Sequence, residues 1–319
     1  MAGPGGATQS SLGLRARMCM IARIEEGRAM KAAMIVMAAV LGMAAPASAQ
    51  DVPAAIFTDP PHDAAHPARM EVLHIPSGGV AINGLAYVAA GAGPHPVVLL
   101  CHGLPGNEKN LDLAQAMRRA GWTVITFNYR GSWGSPGSYR FANDLADADA
   151  VLAWIRTPAN AVALGLDTKR MVMMGHSLGG WTTALTAAHD KGLIGAALIS
   201  PGNIGLIGKL PRAVAIKAFG DNGMEALADT SPTIMADEAI AHADAYDFVK
   251  AGPKLTATPL LVLTSDDGLA APADALVAGA RAAGNARVTS VHVATDHGWS
   301  DRRIRLESEI IRWLAGLAS

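Results

Sequence analysis

Residues 171–181 read MVMMGHSLGGW, and this stretch decides the fold of the chain. Apolar residues typical of a strand lead into a turn, and small residues then begin a helix. The turn, GHSLG at residues 175–179, fits the pattern G-x-S-x-G. In that pattern the serine lies at the tip of a tight strand-to-helix turn, where its hydroxyl is exposed and the flanking glycines allow close packing. We therefore predict that Ser177 is a catalytic nucleophile.

Two later turns supply an acid and a base for this serine. The apolar run at residues 259–265 is typical of a buried parallel strand, and it ends at Asp266 and Asp267. A second strand-like run, residues 288–294, ends shortly before His297. Open α/β sheets place their sites beyond the carboxyl ends of the strands, so these residues are expected to meet the serine. His297 is the predicted general base, and either aspartate is a candidate for the acid.

Three further segments carry a resemblance to a known superfamily. They are HGLPG at residues 102–106, FNYRGS at residues 127–132 and DHGWSDRR at residues 296–303. With the serine motif, they make the chain from roughly Met70 to Ser319 resemble the α/β-hydrolase superfamily. Within it, the chain is similar to serine hydrolases of the dienelactone-hydrolase-like and prolyl-oligopeptidase-like branches.

The resemblance implies the fold and several roles. The implied fold is a mostly parallel eight-stranded sheet covered by helices, with a small helical cap inserted at about residues 203–258. Asp267 is the implied triad acid, because the acid of similar sequences lies two or three residues past the strand end; Asp266 stays the alternative. The backbone N–H groups of Leu178 and Leu104 are the implied donors of the oxyanion hole.

The pattern of the chain by itself also predicts a parallel sheet. Strands and helices alternate over most of its length, which calls for right-handed crossovers and helices on both faces. The strands are predicted at residues 71–75, 80–89, 96–101, 123–128, 171–174, 193–199, 259–265 and 288–294. The helices are predicted at residues 111–120, 141–155 and 178–189, with 213–219 and 231–242 inside the cap. Helix 141–155 has an amphipathic pattern, so we expect its aspartates, Asp144, Asp147 and Asp149, to be solvated.

Other conspicuous residues have two readings each. Trp133 and Trp299 lie on loops at the predicted mouth of the site, where they either line a substrate pocket or pack. His102 either contributes to that pocket or braces the HGLPG loop. Arg130 either binds a substrate carboxylate or forms a structural ion pair, and we favour the ion pair. Cys101, inside an apolar strand, is expected to pack as a small hydrophobe.

The N-terminal residues 1–49 have the features of a secretory signal peptide. The apolar stretch 32–45 is preceded by basic residues and ends at the small-x-small sequence of residues 47–49. Met30 is the favoured start, because it gives a compact leader. The leader predicts an exported protein, periplasmic or secreted, without a stable membrane anchor after cleavage; an uncleaved anchor or a buried helix is the alternative. Residues 50–69 are rich in Pro, Ala and His and are predicted to be a flexible lead-in.

Composition narrows the function further. The chain has 26 Lys and Arg against 27 Asp and Glu, a formal net charge of −1, which gives no reason to expect nucleic acid as a partner. No metal or cofactor is expected. The first hypothesis is therefore a serine hydrolase that cleaves small carboxylic esters through an acyl-enzyme. The alternatives are a peptidase or aminopeptidase acting on short peptides, and a non-catalytic binding protein with this fold.

Overall fold

A computed structural model of the chain describes residues 52–318. The predicted signal peptide and its favoured start at Met30 lie outside the described residues. The described lead-in begins with a short 3-10 turn, Ala54–Ile56. The Arg119 guanidinium donates hydrogen bonds to the carbonyl oxygens of Ala55 and Ile56, at 2.5 and 2.9 Å. This end of the lead-in is therefore held against the helix that carries Arg119.

One eight-stranded sheet forms the centre of the described region. Its strands are β1 (Arg69–Ser77), β2 (Val80–Val88), β3 (His95–Cys101), β4 (Thr123–Phe127), β5 (Leu166–His176), β6 (Leu193–Ile199), β7 (Leu260–Ser265) and β8 (Val288–Val293). The strand order is β1-β2-β4-β3-β5-β6-β7-β8. Strands β1 and β2 pair antiparallel, as do β2 and β4, and the other five pairings are parallel. The predicted mostly parallel eight-stranded sheet is confirmed.

Helices cover both faces of the sheet. They are α1 (Leu111–Arg119), α2 (Phe141–Arg156), α3 (Pro158–Leu164), α4 (Leu178–His189), α5 (Ile204–Gly208), α6 (Arg212–Gly220), α7 (Pro232–Ala241), α8 (Ala270–Ala282) and α9 (Arg303–Ala318). Side chains alternate along β3, so Val97 and Leu99 belong to one buried cluster, and Val98 and Leu100 belong to the other. Helices α2, α4 and α8 contribute to the first cluster, and α1 and α9 contribute to the second.

The sequence prediction missed part of the region before the serine. Strand β5 begins at Leu166, five residues before the predicted start, and α3 was not predicted. Helix α3 begins with Pro158, because a helix start does not use the N–H that proline lacks. The residue that caps its end, Gly165, adopts the left-handed conformation, φ 63°. Because α3 has seven residues and buries only Leu164, it has no clear amphipathic stripe to detect.

The expectation that the aspartates of α2 are solvated is wrong for two of the three. Asp144 and Asp147 are fully buried, whereas Asp149 is exposed. Asp147 forms an ion pair with Arg130, Nε to Oδ1 at 2.6 Å, and it accepts the backbone N–H of Arg130 at 2.7 Å. Asp144 accepts the hydroxyl of Tyr139 at 3.0 Å. Its hydrogen bonds and ion pair compensate Asp147 for lost water, and the structural ion pair predicted for Arg130 is present. Oδ1 of Asp144 has no hydrogen-bond partner among the described residues, and burial raises the pKa of this carboxyl group.

The segment between β6 and β7 is helical and lies next to the carboxyl ends of the strands. It contains α5, α6 and α7, followed by a 3-10 helix at Phe248–Lys254. The two helices predicted inside the cap are α6 and α7, with ends shifted by one residue. We call residues 203–258 the cap segment. Across residues 52–318, no helix combines the length and the apolar character that crossing a bilayer requires.

Candidate active site

Ser177 lies in a strained turn between β5 and α4. Its backbone has φ 58° and ψ −118°, a conformation that residues other than glycine rarely adopt. A side chain at Gly175 would overlap the backbone carbonyl of Gly179, and one at Gly179 would overlap the carbonyl of Cys101. These two positions therefore require glycine, because β5, the turn and the end of β3 approach so closely. The turn holds Ser177 at the carboxyl edge of the sheet.

Asp267 and His297 form a hydrogen-bonded pair beside this turn. The Nδ1 of His297 donates to Oδ2 of Asp267 at 2.7 Å, and the other carboxylate oxygen accepts the N–H of Leu269 at 2.9 Å. Burial alone would raise the pKa of Asp267, but these hydrogen bonds outweigh it and lower the pKa to about 2. The carboxylate is thus ionised at neutral pH and only accepts hydrogen bonds. Neutral His297 accordingly carries its proton on Nδ1, which leaves Nε2 able to accept one.

The alternative acid, Asp266, is directed elsewhere. Its Oδ1 lies 2.9 Å from Nε2 of His292 on β8, and both side chains are more than half exposed. Its backbone N–H donates to the carbonyl of Thr295 at 3.0 Å. The structure therefore brings Asp267, and not Asp266, to His297.

Both predicted oxyanion donors lie at the same cavity as Ser177. Leu178 is the first residue of α4, and Leu104 lies in the loop after β3. Within residues 52–318, neither backbone N–H donates to another protein group. The amide of Leu178 also lies at the positive end of the α4 dipole. The two amides are thus available to an anionic oxygen.

A cavity of about 490 Å³ adjoins these residues. We call it the Ser177 cavity, because Ser177, Asp267 and His297 line it together with Leu104 and Leu178. Four apolar residues of the cap segment also line it: Ile204, Leu206, Ile207 and Leu210. Met224 of the same segment does not line this cavity and packs against the buried core.

His176 links the serine turn to the histidine loop, a role that sequence reasoning did not predict. Its Nε2–H donates to the backbone carbonyl of His297 at 2.8 Å, and the two rings pack with centroids 4.6 Å apart. Burial lowers the pKa of His176 to about 4, so the ring is neutral at pH 7. The only signal in the sequence was the position of His176, directly before the nucleophile.

Of the two readings given for Trp299 and His102, the structure shows packing for Trp299 and loop bracing for His102, and neither residue lines a substrate pocket at Ser177. Trp299 is fully buried and donates its indole N–H to Oγ of Ser200 at 3.1 Å. His102 is 4% exposed, and its Nδ1 lies 2.8 Å from the carbonyl oxygen of Gly103, so it braces the loop. Burial lowers the pKa of His102 to about 4. Neither side chain lines the Ser177 cavity. The indole N–H of Trp299 is satisfied inside the protein, whereas Nε2 of His102 is buried without a hydrogen-bond partner among the described residues.

Trp133 lines a different cavity. It is 37% exposed and adopts φ 50°, and its indole N–H donates to the carbonyl of Pro105 at 2.6 Å. The ammonium of Lys109 lies 4.4 Å from the ring centroid. The cavity beside it measures about 480 Å³, and Pro105 and the cap residues 225–228 also line it. The substrate-pocket prediction for Trp133 therefore concerns a space separate from the Ser177 cavity.

Comparison with known proteins shows which family the chain matches. The sequence model of the alpha/beta hydrolase family matches residues 98–314. An uncharacterised protein of Mycobacterium tuberculosis is 31% identical over 114 residues, which are 35% of this chain and 39% of that protein. The match thus spans about two fifths of that curated relative's length.

Solved structures share the fold. An esterase of Pyrobaculum calidifontis superposes with a TM-score of 0.61 at 20% identity, over 80% of this chain and 88% of that one. A puromycin-hydrolysing peptidase of Mycobacterium tuberculosis superposes with a TM-score of 0.60 at 18% identity, over 79% of this chain and 40% of that one. At such identities the likeness concerns the fold alone.

Proposed function

The chain belongs to the alpha/beta hydrolase family, and we propose that it is a serine hydrolase that cleaves carboxylic esters of small molecules through an acyl-enzyme. The observation that carries the proposal is the 2.7 Å hydrogen bond between Asp267 and His297 beside the strained turn of Ser177. A serine hydroxyl is a weak nucleophile at neutral pH and needs a base that an acid orients. These three side chains supply those roles at one cavity.

In the first half-reaction, Oγ of Ser177 attacks the ester carbonyl carbon while Nε2 of His297 takes the hydroxyl proton. Asp267 stabilises the resulting imidazolium and keeps the ring in place. The carbonyl oxygen becomes an oxyanion, which accepts hydrogen bonds from the N–H groups of Leu178 and Leu104. The bond to the leaving alcohol then breaks, and His297 gives its proton to the alcohol oxygen.

In the second half-reaction, water replaces the alcohol. His297 takes a proton from the water, whose oxygen attacks the acyl carbon bound to Ser177. The second tetrahedral intermediate uses the same two backbone donors. Its collapse releases the carboxylic acid and returns the proton to Oγ of Ser177. This cycle requires no metal or cofactor.

Replacing the nucleophile tests the proposal. We expect Ser177→Ala to lower kcat on p-nitrophenyl esters by at least about 10⁴-fold, since a triad without its nucleophile retains only background catalysis. Thermal stability should stay near wild type. The measurement is a p-nitrophenyl ester assay on residues 50–319, with labelling of the enzyme by a fluorophosphonate probe. Ser290→Ala, an exposed serine on β8, is the matched control.

The same assay decides between ester and amide substrates. Aminoacyl and prolyl p-nitroanilides are assayed beside the esters. Ester turnover that depends on Ser177 supports the proposal, whereas anilide turnover alone would favour the peptidase. Unchanged ester turnover in Ser177→Ala would contradict the mechanism. If neither esters nor anilides are turned over and the fluorophosphonate probe does not label the protein, the non-catalytic binding protein is favoured.

We further propose that the protein is exported and that its leader is removed after residue 49. The support is the order of basic residues, an apolar stretch and the small-x-small sequence at residues 47–49. Expression of the full chain in a bacterium, followed by fractionation and N-terminal sequencing, tests this. A periplasmic protein that begins at Gln50 is expected, and a cytoplasmic protein that keeps residues 32–45 would contradict it.

A further inference from the structure

Apolar side chains line the Ser177 cavity on two sides. Besides the residues of α5 and the turn after it, Phe219 of α6 lines the cavity on the cap side. Leu269 and Pro272 line it on the side of the sheet that carries Asp267. A cavity with such walls favours an apolar ligand, because the ligand and the walls both leave water when it binds.

The walls offer no unengaged counter-charge to a charged substrate group. Of the described residues that line the cavity, none is Lys or Arg, and the only acid is Asp267, which His297 already engages. The amide of Asn203 donates to Asp247 at 2.8 Å, and the amide of Asn222 donates to the carbonyl of Ala218 at 2.8 Å. A carboxylate or ammonium group in this cavity would therefore lose water without gaining a counter-charge.

The position of Ser177 indicates which part of the substrate occupies the cavity. Once the alcohol has left, the acyl group remains bound to Oγ of Ser177, with its carbonyl oxygen at the amides of Leu104 and Leu178. The rest of the acyl chain must then continue into the space that Ser177 lines. That space is about 490 Å³, which has room for several methylene groups and also limits their number.

From these observations we propose that the substrates are esters of uncharged, apolar acyl chains, and that Leu210 and Leu206 set the preferred chain length. The proposal rests on the proposed esterase function. Both leucines line the cavity yet stay partly exposed, at 42% and 36%. They lie where an incoming chain would cover them, so a bulkier side chain at either position would take volume from the space for the chain.

The chain itself offers a matched control for Leu210. Val214 on α6 is 49% exposed, lies four residues further along the same cap segment, and does not line the cavity. A bulky residue at either position adds the same surface to the cap, but only the one at position 210 takes volume from the cavity. Because both positions are partly exposed, neither substitution is expected to disturb the core.

The experiment measures kcat/KM for p-nitrophenyl esters from acetate to dodecanoate with wild type, Leu210→Trp and Val214→Trp. For wild type we expect a rise of up to about fourfold per methylene, followed by a maximum and a fall. Leu210→Trp should move the maximum to a shorter chain, with a larger loss in kcat/KM for long esters than for acetate. Val214→Trp should keep the wild-type maximum. Leu206→Trp is expected to act like Leu210→Trp.

The effect of a charge on the acyl chain is tested with two substrates whose acyl groups have the same number of carbons, p-nitrophenyl pentanoate and the p-nitrophenyl monoester of glutarate. Wild type should prefer pentanoate by at least about tenfold in kcat/KM, because the carboxylate end would be buried unpaired. Leu210→Lys should narrow that preference, and Val214→Lys should not. A parallel series of alkyl fluorophosphonates reports labelling rates of Ser177 independently of the leaving alcohol.

The outcomes separate this proposal from the function on which it rests. Ester turnover that depends on Ser177 but is independent of chain length, or that favours the glutarate monoester, would overturn the acyl-chain proposal and leave the esterase intact. A maximum that moves equally in Leu210→Trp and Val214→Trp would overturn the role of Leu210. No turnover of any ester and no labelling by any fluorophosphonate would overturn the proposed function and the acyl-chain proposal with it.

Discussion

At the residue scale, the two consecutive aspartates give a direct test of the triad. Asp267→Asn removes the charge that stabilises the His297 imidazolium and lets the ring turn to the wrong tautomer. We expect kcat on p-nitrophenyl esters to fall by about 10³–10⁴-fold. Asp266→Asn is the control, because that side chain contacts exposed His292, and its kcat should stay within a few-fold of wild type. A larger loss of kcat in Asp266→Asn than in Asp267→Asn would assign the role of triad acid to Asp266.

The pair also shows what a sequence can and cannot predict at this scale. The serine turn follows from its pattern, because only small flanking residues permit it. The resemblance implied Asp267 as the acid, but the pattern of residues alone left Asp266 open, because adjacent residues at a strand end point in different directions. The link from His176 to the carbonyl of His297 could not be predicted for a similar reason, because it joins the end of β5 to a loop residue 121 positions further along the chain.

At the element scale, helix α2 is tied to the sheet by a buried carboxylate. Asp147 receives hydrogen bonds from Ser77 at the end of β1 and from both the backbone and the side chain of Arg130. We expect Asp147→Ala to lower the free energy of unfolding by about 3–5 kcal/mol, because it leaves a mostly buried guanidinium without its partner. Urea unfolding followed by circular dichroism measures the change.

Asp149→Ala is the matched control on the same helix, because Asp149 pairs with His189 in solvent and its loss should change stability little. An equal loss in both variants would contradict the role of Asp147. The contrast explains why the sequence pattern failed for α2. A helical periodicity assigns every aspartate to the solvent side, whereas a buried one is stabilised by partners that lie elsewhere in the chain, here Arg130 and Ser77.

At the scale of the whole molecule, the sheet was predictable, whereas the surroundings of the two conspicuous loop tryptophans were not. Strand and helix alternation predicts the layers because each apolar run must be buried against its neighbours. Which side chains line a cavity depends on how loops pack, and loops have no period. Trp299 and Trp133 illustrate this: both follow strand ends, yet one is buried in the core and the other lines a separate cavity.

Two buried histidines couple the stability of the whole molecule to pH. Burial lowers the pKa of His102 and of His176 from the ordinary 6.5 to about 4, so between these values the unfolded chain binds more protons than the folded one. Their contribution is complete above pH 6.5 and is lost as the pH falls through 4. It is on the order of 3 kcal/mol for each histidine. Burial raises the pKa of Asp144 and acts in the opposite sense, so comparison with a variant is needed.

We therefore expect the free energy of unfolding, measured with urea at several pH values, to fall between pH 7 and pH 4.5. In His176→Gln, which keeps an N–H donor of similar reach, the fall should be smaller by roughly half, because one of the two titrating groups is gone. His62→Gln is the control, since His62 is exposed, and it should show the wild-type fall. If His176→Gln and wild type lost stability in parallel, protonation of His176 would not be what destabilises the folded state in acid.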